Sequence, residues 1–185
     1  QKILEENKIH YNGSSYIASS NCFDKKFTKI VIEKENGLST PPFMIIDKDK
    51  GIIDLHNYPY PITQKSLYTF IRKNKKIVVK PSRQGSSVGF SLIDSDNFED
   101  RSKKTLEAID YAFKYDNIAL VEKFIEGREI TVSILGKNAL PVIEIEPKKG
   151  IYDYDAKYIK GASNYFSPIY EGVYLFKTIE PRVAW

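Results

Sequence analysis

The sequence predicts an α+β fold, a mostly antiparallel sheet flanked by helices, and three observations support it. Short runs of β-branched and apolar residues, Ile77-Val78-Val79 and Ala119-Leu120-Val121, and the alternation Ile130, Val132, Ile134 read as strands. Between them stand helical stripes, Leu67, Phe70 and Ile71, then Phe98, Leu106, Ile109 and Phe113. No Rossmann glycine fingerprint is present, and the strands do not alternate with helices in the manner of a wound parallel sheet. With 185 residues, 42% of them hydrophobic, the chain can bury a core as one domain or two small ones. It contains no internal repeats.

Each element has its own local signal. Asp24 to Asn36 carries Phe27, Ile30 and Val31 at helical spacing, with Asp24 as N-cap and Gly37 as C-terminal stop. Pro41-Pro42 forces extension into the apolar strand Phe43-Met44-Ile45-Ile46, and Asp47 to Gly51 turns the chain into a loop rich in proline and tyrosine. Thr63 caps a helix that runs through Lys73, and the stripe of Leu67, Phe70 and Ile71 is core. A third helix starts near Asp96, with Asp96 and Glu99 resembling a capping box. Ile130 to Leu135 reads as a half-buried strand that Gly136-Lys137-Asn138 turns back into the partner Leu140 to Ile145, where Pro141 marks an edge or a bulge.

Three segments carry chemistry. In the first, the strand Ile77 to Val79 delivers Lys80 to the loop Pro81-Ser82-Arg83-Gln84-Gly85-Ser86-Ser87-Val88-Gly89. Glycines at 85 and 89 allow positive φ and close approach, and convergent N–H groups suit an anion. The lysine precedes the loop, so this is not the Walker arrangement. Taken alone, the segment equally describes an ordinary turn beside an exposed lysine. The second segment, Glu122-Lys123-Phe124-Ile125-Glu126-Gly127-Arg128-Glu129, sets the carboxylates Glu122 and Glu129 beside apolar Phe124 and Ile125, which suits a flat heterocycle with a hydroxylated sugar. Glu126 and Arg128 read as a solvated hairpin edge. The third, Gly150 to Tyr158, is rich in tyrosine and charge and reads as an ordered loop, either functional or a cover for a core.

Composition narrows the classes. A formal charge of +4 favours anionic partners weakly, and the runs Lys73 to Lys76 and Lys148-Lys149 are solvated faces and not nucleic-acid patches. Cys22 is alone, which excludes an intramolecular disulfide and a multi-cysteine zinc site and fits a reducing cytosol. His10 and His56 form no ligand pattern, even with Asp54 beside one of them, so no metal-binding side chain is assigned. No apolar run has the length of a membrane span, and the charged start is not a signal peptide.

Taken together, the three segments resemble the D-alanine-D-alanine ligases of the ATP-grasp superfamily. That family carries a K-P-S-x-x-G-S-S-V-G loop, an E-K-F-I-x-G-x-E-x-T-V hairpin and a Y-D-Y-x-A-K-Y loop in this order. Ile9 to Ser14, Phe23-Asp24-Lys25 and Gly37 to Phe43 are similar to its upstream text, and the resemblance runs from residue 1 to about 168. It implies a remnant of the N-terminal substrate domain and linker over 1–24, a central ATP-grasp domain over 25–129 and an incomplete C-terminal ATP-grasp domain over 130–185, unmatched from about 169. Past Pro168, Tyr170 to Phe176 could form one strand, and Thr178 to Trp185 matches nothing in the family. The R-x-D and E-x-N elements that hold magnesium and the triphosphate are not found in the C-terminal part, where the family carries them. Gln1 is no initiator and Met44 is the only methionine, so the expectation is an internal piece or a processed product.

The reaction implied by the resemblance joins two D-alanines with ATP, giving D-alanyl-D-alanine, ADP and phosphate for peptidoglycan synthesis. Lys25 and Lys80 match lysines at the α- and β-phosphates. Ser86 and Ser87 match the loop that closes on the phosphates, with Ser86 bonded to Tyr158. Lys157 matches a lysine directed at the transferring phosphate, and Glu122, the Lys123 to Ile125 backbone and Glu129 match adenine and ribose contacts. ATP, Mg2+ and D-alanine are the implied ligands, the complete enzyme is a cytoplasmic homodimer, and the chain shown is expected to be truncated and inactive. A noncatalytic nucleotide-binding remnant and another ATP-grasp carboxylate-amine ligase are the alternatives.

Overall fold

The computed structural model describes residues 1–36, 38–53 and 64–169. The sequence readings at Gly37, Asp54, His56, Thr63 and from Tyr170 onward lie outside the described residues. The chain forms two compact units, Gln1–Ile125 and Glu126–Trp185.

The first unit contains α1 (Lys2–Glu6), α2 (Tyr16–Phe23), α3 (Lys25–Asn36), β1 (Phe43–Asp47), β2 (Gly51–Ile53), α4 (Gln64–Lys73), β3 (Lys76–Pro81), β4 (Ser91–Asp94), α5 (Phe98–Ala112) and β5 (Ile118–Lys123). Its sheet has the order β2-β1-β5-β3-β4, and every pair is antiparallel. The near-continuous apolar runs of β1, β3 and β5 follow from this position, since central strands are covered on both faces. On one face Met44, Ile46, Ile77, Val79, Ala119 and Val121 pack with Leu67 and Ile71 of α4 and Ala108, Ile109 and Ala112 of α5. Phe43, Ile45 and Leu120 form the opposite face. Truncating Ile71, which is fully buried, to alanine would cost about 2–5 kcal/mol.

Caps and turns refine several boundaries. Asp24 caps α3 as expected, its Oδ1 accepting from the Phe27 N–H at 3.2 Å. The cap of α5 is Asn97 and not Asp96: Asn97 Oδ1 accepts from the Asp100 N–H at 2.8 Å, while Asp96 pairs with Lys75. The buried stripe of α5 is Arg101, Ser102, Thr105, Ala108, Ile109 and Ala112, and Leu106, one residue past Thr105, turns outward. Buried Arg101 donates from Nε to the Ile71 carbonyl at 3.1 Å and from Nη1 to the Ser95 carbonyl, tying α5 to the end of α4. In the β1–β2 turn, Asp47 Oδ1 accepts from the N–H groups of Asp49 and Lys50.

The second unit contains β6 (Glu129–Thr131), β7 (Ile134–Leu135), β8 (Asn138–Ala139), β9 (Ile143–Pro147), α6 (Tyr154–Tyr158) and β10 (Ser163–Phe166). Three antiparallel strands lie in the order β10-β9-β6, and β7-β8 is a separate hairpin with Gly136 at φ 63°. The expected half-buried strand over 130–135 is therefore two short strands broken at Val132-Ser133, with Ile130 and Ile134 exposed. Pro141 falls in the connection ahead of β9, so β9 is paired on both sides and the edge reading is corrected. Gly150 to Tyr158 ends in a helix and not a loop. Asp153 caps it through the Ala156 N–H at 3.0 Å, and Ala156 supplies the buried contact that the tyrosine-rich text concealed.

Candidate functional site

A buried carboxylate among lysines is the chemical centre of the first unit. Glu122 lies on β5 opposite Val78, and Lys80 lies on β3 opposite Leu120, so both side chains leave the same face as diagonal neighbours. Lys80 Nζ stands 2.8 Å from Glu122 Oε2. Lys29, on α3, approaches from the other side, with Nζ 3.5 Å from Oε1. That oxygen is buried and makes no well-formed hydrogen bond. Glu122 is 4% exposed and Lys29 8% exposed, whereas the Lys80 side chain keeps 25% of its surface open.

Lys25 completes the basic group. One turn before Lys29 on α3, it donates from Nζ to the carbonyls of Ser82, at 3.2 Å, and Gln84. Burial and the Lys80 charge hold the Lys25 amine below its ordinary value, against the pull of Glu122. Burial likewise depresses Lys29, with Glu122 opposing. Lys29 and Lys80 thus flank one carboxylate, and Lys25 lies within reach of their charges, with Asp116 and Asp24 also acting on it.

The loop after β3 is anchored to the start of α3. Ser82 is buried, donates from Oγ to Asp24 Oδ1 at 2.7 Å and accepts from the Lys26 N–H, while its own N–H bonds the Ile118 carbonyl. Arg83 Nε reaches Asp24 Oδ2 at 2.9 Å, and the Arg83 N–H donates to Asp116 Oδ2 at 2.7 Å. Burial raises the Asp24 carboxyl, but the bonds from Ser82, Arg83 and the Phe27 N–H, with the Arg83 charge, hold it below the usual carboxylate range.

Beyond this anchor the backbone enters left-handed space at Ser86 (φ 51°), Ser87 (φ 62°) and Gly89 (φ 70°). Gly85 is not in this region, so the conformational freedom expected at 85 is exercised by the two serines instead. Gly89 has no substitute: a Cβ there would lie 2.8 Å from both Pro81 Cγ and Tyr115 Cδ2. Within the loop the Val88 N–H bonds the Gly85 carbonyl and the Phe90 N–H the Ser87 carbonyl, so the lysines beside it are the donors an anion would meet. These donors fit the phosphates of a nucleotide. They do not fit a divalent cation, and among the described residues no three His, Cys, Asp or Glu side chains gather as metal ligands.

Of the residues expected to bind nucleotide, Lys25, Lys80 and Glu122 meet in this cluster, and Ser86 and Ser87 lie in the adjoining loop. Lys123 ends β5 with its N–H committed to the Pro42 carbonyl, and the Phe124 N–H bonds the Lys76 carbonyl. Ile125 is exposed at the end of the unit. Lys29 was not singled out in the sequence; its signal was the i, i+4 spacing from Lys25, which puts both on one helix face.

Glu129, Lys157 and Tyr158 belong to the second unit. Glu129 is exposed on β6, and Arg128 beside it makes a two-pronged pair with Glu144 of β9, which replaces the purely solvated edge read from sequence. On α6, Tyr154 and Tyr158 stack with ring centroids 4.7 Å apart, and Lys157 Nζ sits 5.3 Å from the centre of the Tyr152 ring. The Tyr152 hydroxyl lies 3.5 Å from that of Tyr165, and this contact, then burial, raises Tyr152 above its ordinary value.

A family model described as D-ala D-ala ligase C-terminus matches residues 32–179. The chain is similar to the D-alanine--D-alanine ligases of Methylacidiphilum infernorum, 39% identical over 91% of this chain and 47% of the relative, and of Aquifex aeolicus, 38% identical over 89% and 49%. Among solved structures it resembles D-alanine--D-alanine ligase from Bacillus anthracis, with a TM-score of 0.64 and 30% identity over 91% of this chain and 49% of that one. The same enzyme complexed with ATP gives a TM-score of 0.60 at 27% identity, over 90% and 47%. The chain spans about half the length of the curated relatives it matches. Since the family model matches most of the chain's length, the chain belongs to the D-alanine-D-alanine ligase family and has its α+β, ATP-grasp fold.

Proposed function

We propose that this chain forms the nucleotide-binding part of an ATP-dependent ligase joining two D-alanine molecules into D-alanyl-D-alanine for peptidoglycan synthesis. The observation that carries the reading is the Lys25, Lys29 and Lys80 cluster around buried Glu122, next to the left-handed loop at Ser86 and Ser87. A carboxylate and a γ-phosphate are both anions, so fixed cations must neutralise them before one attacks the other in line. In this reading Lys25 and Lys80 hold the phosphates, Ser86 and Ser87 close over them, and Lys157 meets the transferring group. Glu122, the backbone from Lys123 to Ile125, and Glu129 read adenine and ribose, while Tyr158 belongs to the closing segment. Water must be kept from the acylphosphate of the first D-alanine until the second amine arrives, which is the work of a closing segment around Tyr152 to Tyr158. The complete enzyme of this reading is a cytoplasmic homodimer. Magnesium belongs to the same family chemistry, where it would neutralise phosphate charge, but the described residues supply no set of ligands for it and no step here runs through it.

Calorimetric titration of the 185-residue chain with ATP tests the reading, with D-alanine-dependent phosphate release measured in parallel. Saturable ATP binding that Lys80→Ala weakens supports the nucleotide site, and D-alanine-dependent release supports the ligase. ATP binding without release agrees with a nucleotide-binding part of a larger ligase as well as with the noncatalytic alternative, and no ATP binding overturns the site.

A further inference from the structure

Lys29 is too deeply placed to serve as an ordinary ligand contact, yet it is charged and its position is over-determined. Its Nζ lies 3.5 Å from Glu122 Oε1, donates to the Pro41 carbonyl at 3.2 Å and stands 4.5 Å from the centre of the Phe43 ring. Phe43 and Val78 both face Glu122 across the sheet, so apolar side chains border the carboxylate on the two neighbouring strands. A buried carboxylate with one counter-ion would hold that ion tightly, and Lys80 is the partner it would hold. A second counter-ion changes the balance. Lys29 occupies the Oε1 side, leaving Oε2 to orient Lys80 at 2.8 Å.

We propose that Lys29 is a positioning residue for polyphosphate recognition: by neutralising Glu122 from the interior, it lets the carboxylate aim Lys80 without consuming Lys80's charge. The proposal rests on the nucleotide reading above and adds a prediction that the reading alone does not make. Lys29 should set how strongly the site prefers a phosphorylated nucleotide to the bare nucleoside, because without it Glu122 is left with Lys80 as its one close counter-ion and draws on that charge. Adenosine carries no phosphate to sense that charge.

The test measures binding of ATP and of adenosine to the full chain, by calorimetry and by ligand-observed NMR, for wild type, Lys29→Met and Lys29→Arg. Lys29→Met should weaken ATP about tenfold, the order expected for one unit charge lost about 12 Å from phosphate at an effective dielectric of about 20. Adenosine affinity should change by less than about twofold, and Lys29→Arg, which keeps the charge, should restore the preference for ATP. Equal losses for ATP and adenosine would show a merely structural role and overturn the proposal, as would unchanged ATP binding in Lys29→Met. If Lys29→Met fails to fold, Lys29→Gln, which removes the charge and keeps a donor for the Pro41 carbonyl, carries the test with the same expected loss for ATP and the same overturning outcomes. Wild type that binds no ATP overturns the nucleotide reading itself, a failure distinct from wild type that binds ATP regardless of Lys29.

Discussion

Lys80 and Glu122 meet diagonally across β3 and β5, two residues out of register, with Nζ 2.8 Å from Oε2. The pairing gives a partly exposed member of the cluster a fixed direction. An unpaired lysine would sample many rotamers and lose that freedom on binding, whereas Lys80 has already lost part of it.

Lys80→Ala should weaken ATP binding by about 1.5–3 kcal/mol, the range for a hydrogen bond to a charged group. Calorimetry on both proteins, with melting curves to confirm that the variant folds, measures it. Equal affinities would remove Lys80 from the phosphate site.

ATP affinity should fall at alkaline pH, and should begin to fall below the ordinary lysine value of 10.5, because burial and Lys80 lower Lys25. The sign differs between binding and stability. Between the lowered value and 10.5 the unfolded chain binds more protons, so the Lys25 contribution to stability rises with pH, while the charge offered to phosphate is lost. Titrations of ATP binding across this range in wild type and Lys25→Met separate the two; a wild-type profile flat to 10.5 would contradict the assignment.

Asp24→Asn should destabilise the first unit by about 1–2 kcal/mol at neutral pH, through loss of the Arg83 pair and a weaker cap. Since the folded-state Asp24 carboxyl lies below its usual 3.8, its contribution is complete above 3.8 and is lost as pH falls through the folded value. Denaturant melts should therefore show the gap between wild type and variant narrowing in acid. A constant gap would mean that the charge contributes nothing.

Gly89→Ala should cost about 2–4 kcal/mol, combining left-handed strain at φ 70° with overlap against Pro81 and Tyr115. Gly85→Ala should cost much less, its Cβ meeting only Phe23 Cε2 at 3.9 Å. Thermal denaturation of the two variants checks the ranking, and its inversion would place the tight approach at the wrong glycine.

Much of the scaffold was legible locally. The apolar runs of β1, β3 and β5, the Asp24 cap and the stripe of α4 each depend on neighbours within a few residues, and the structure retains them. Local pattern failed where another part of the chain set the outcome. The alternation at Ile130, Val132 and Ile134 promised a half-buried face, but little in the second unit covers it, and only Ile145 and Ala156 are buried among its described apolar residues. Asn97 displaced Asp96 as a cap because Lys75, on another segment, holds the Asp96 carboxylate.

By itself, the sequence determined the order of the three motif segments and the residue types at Lys25, Lys80, Ser86, Ser87 and Glu122, because a covalent order and a side chain's chemistry need no folding to be read. Only the tertiary structure decided that Lys29 joins them. A helix and two strands, separated in sequence by tens of residues, bring Lys29 and Lys80 to one buried carboxylate, and charge interactions depend on distance and burial, which residue spacing does not encode.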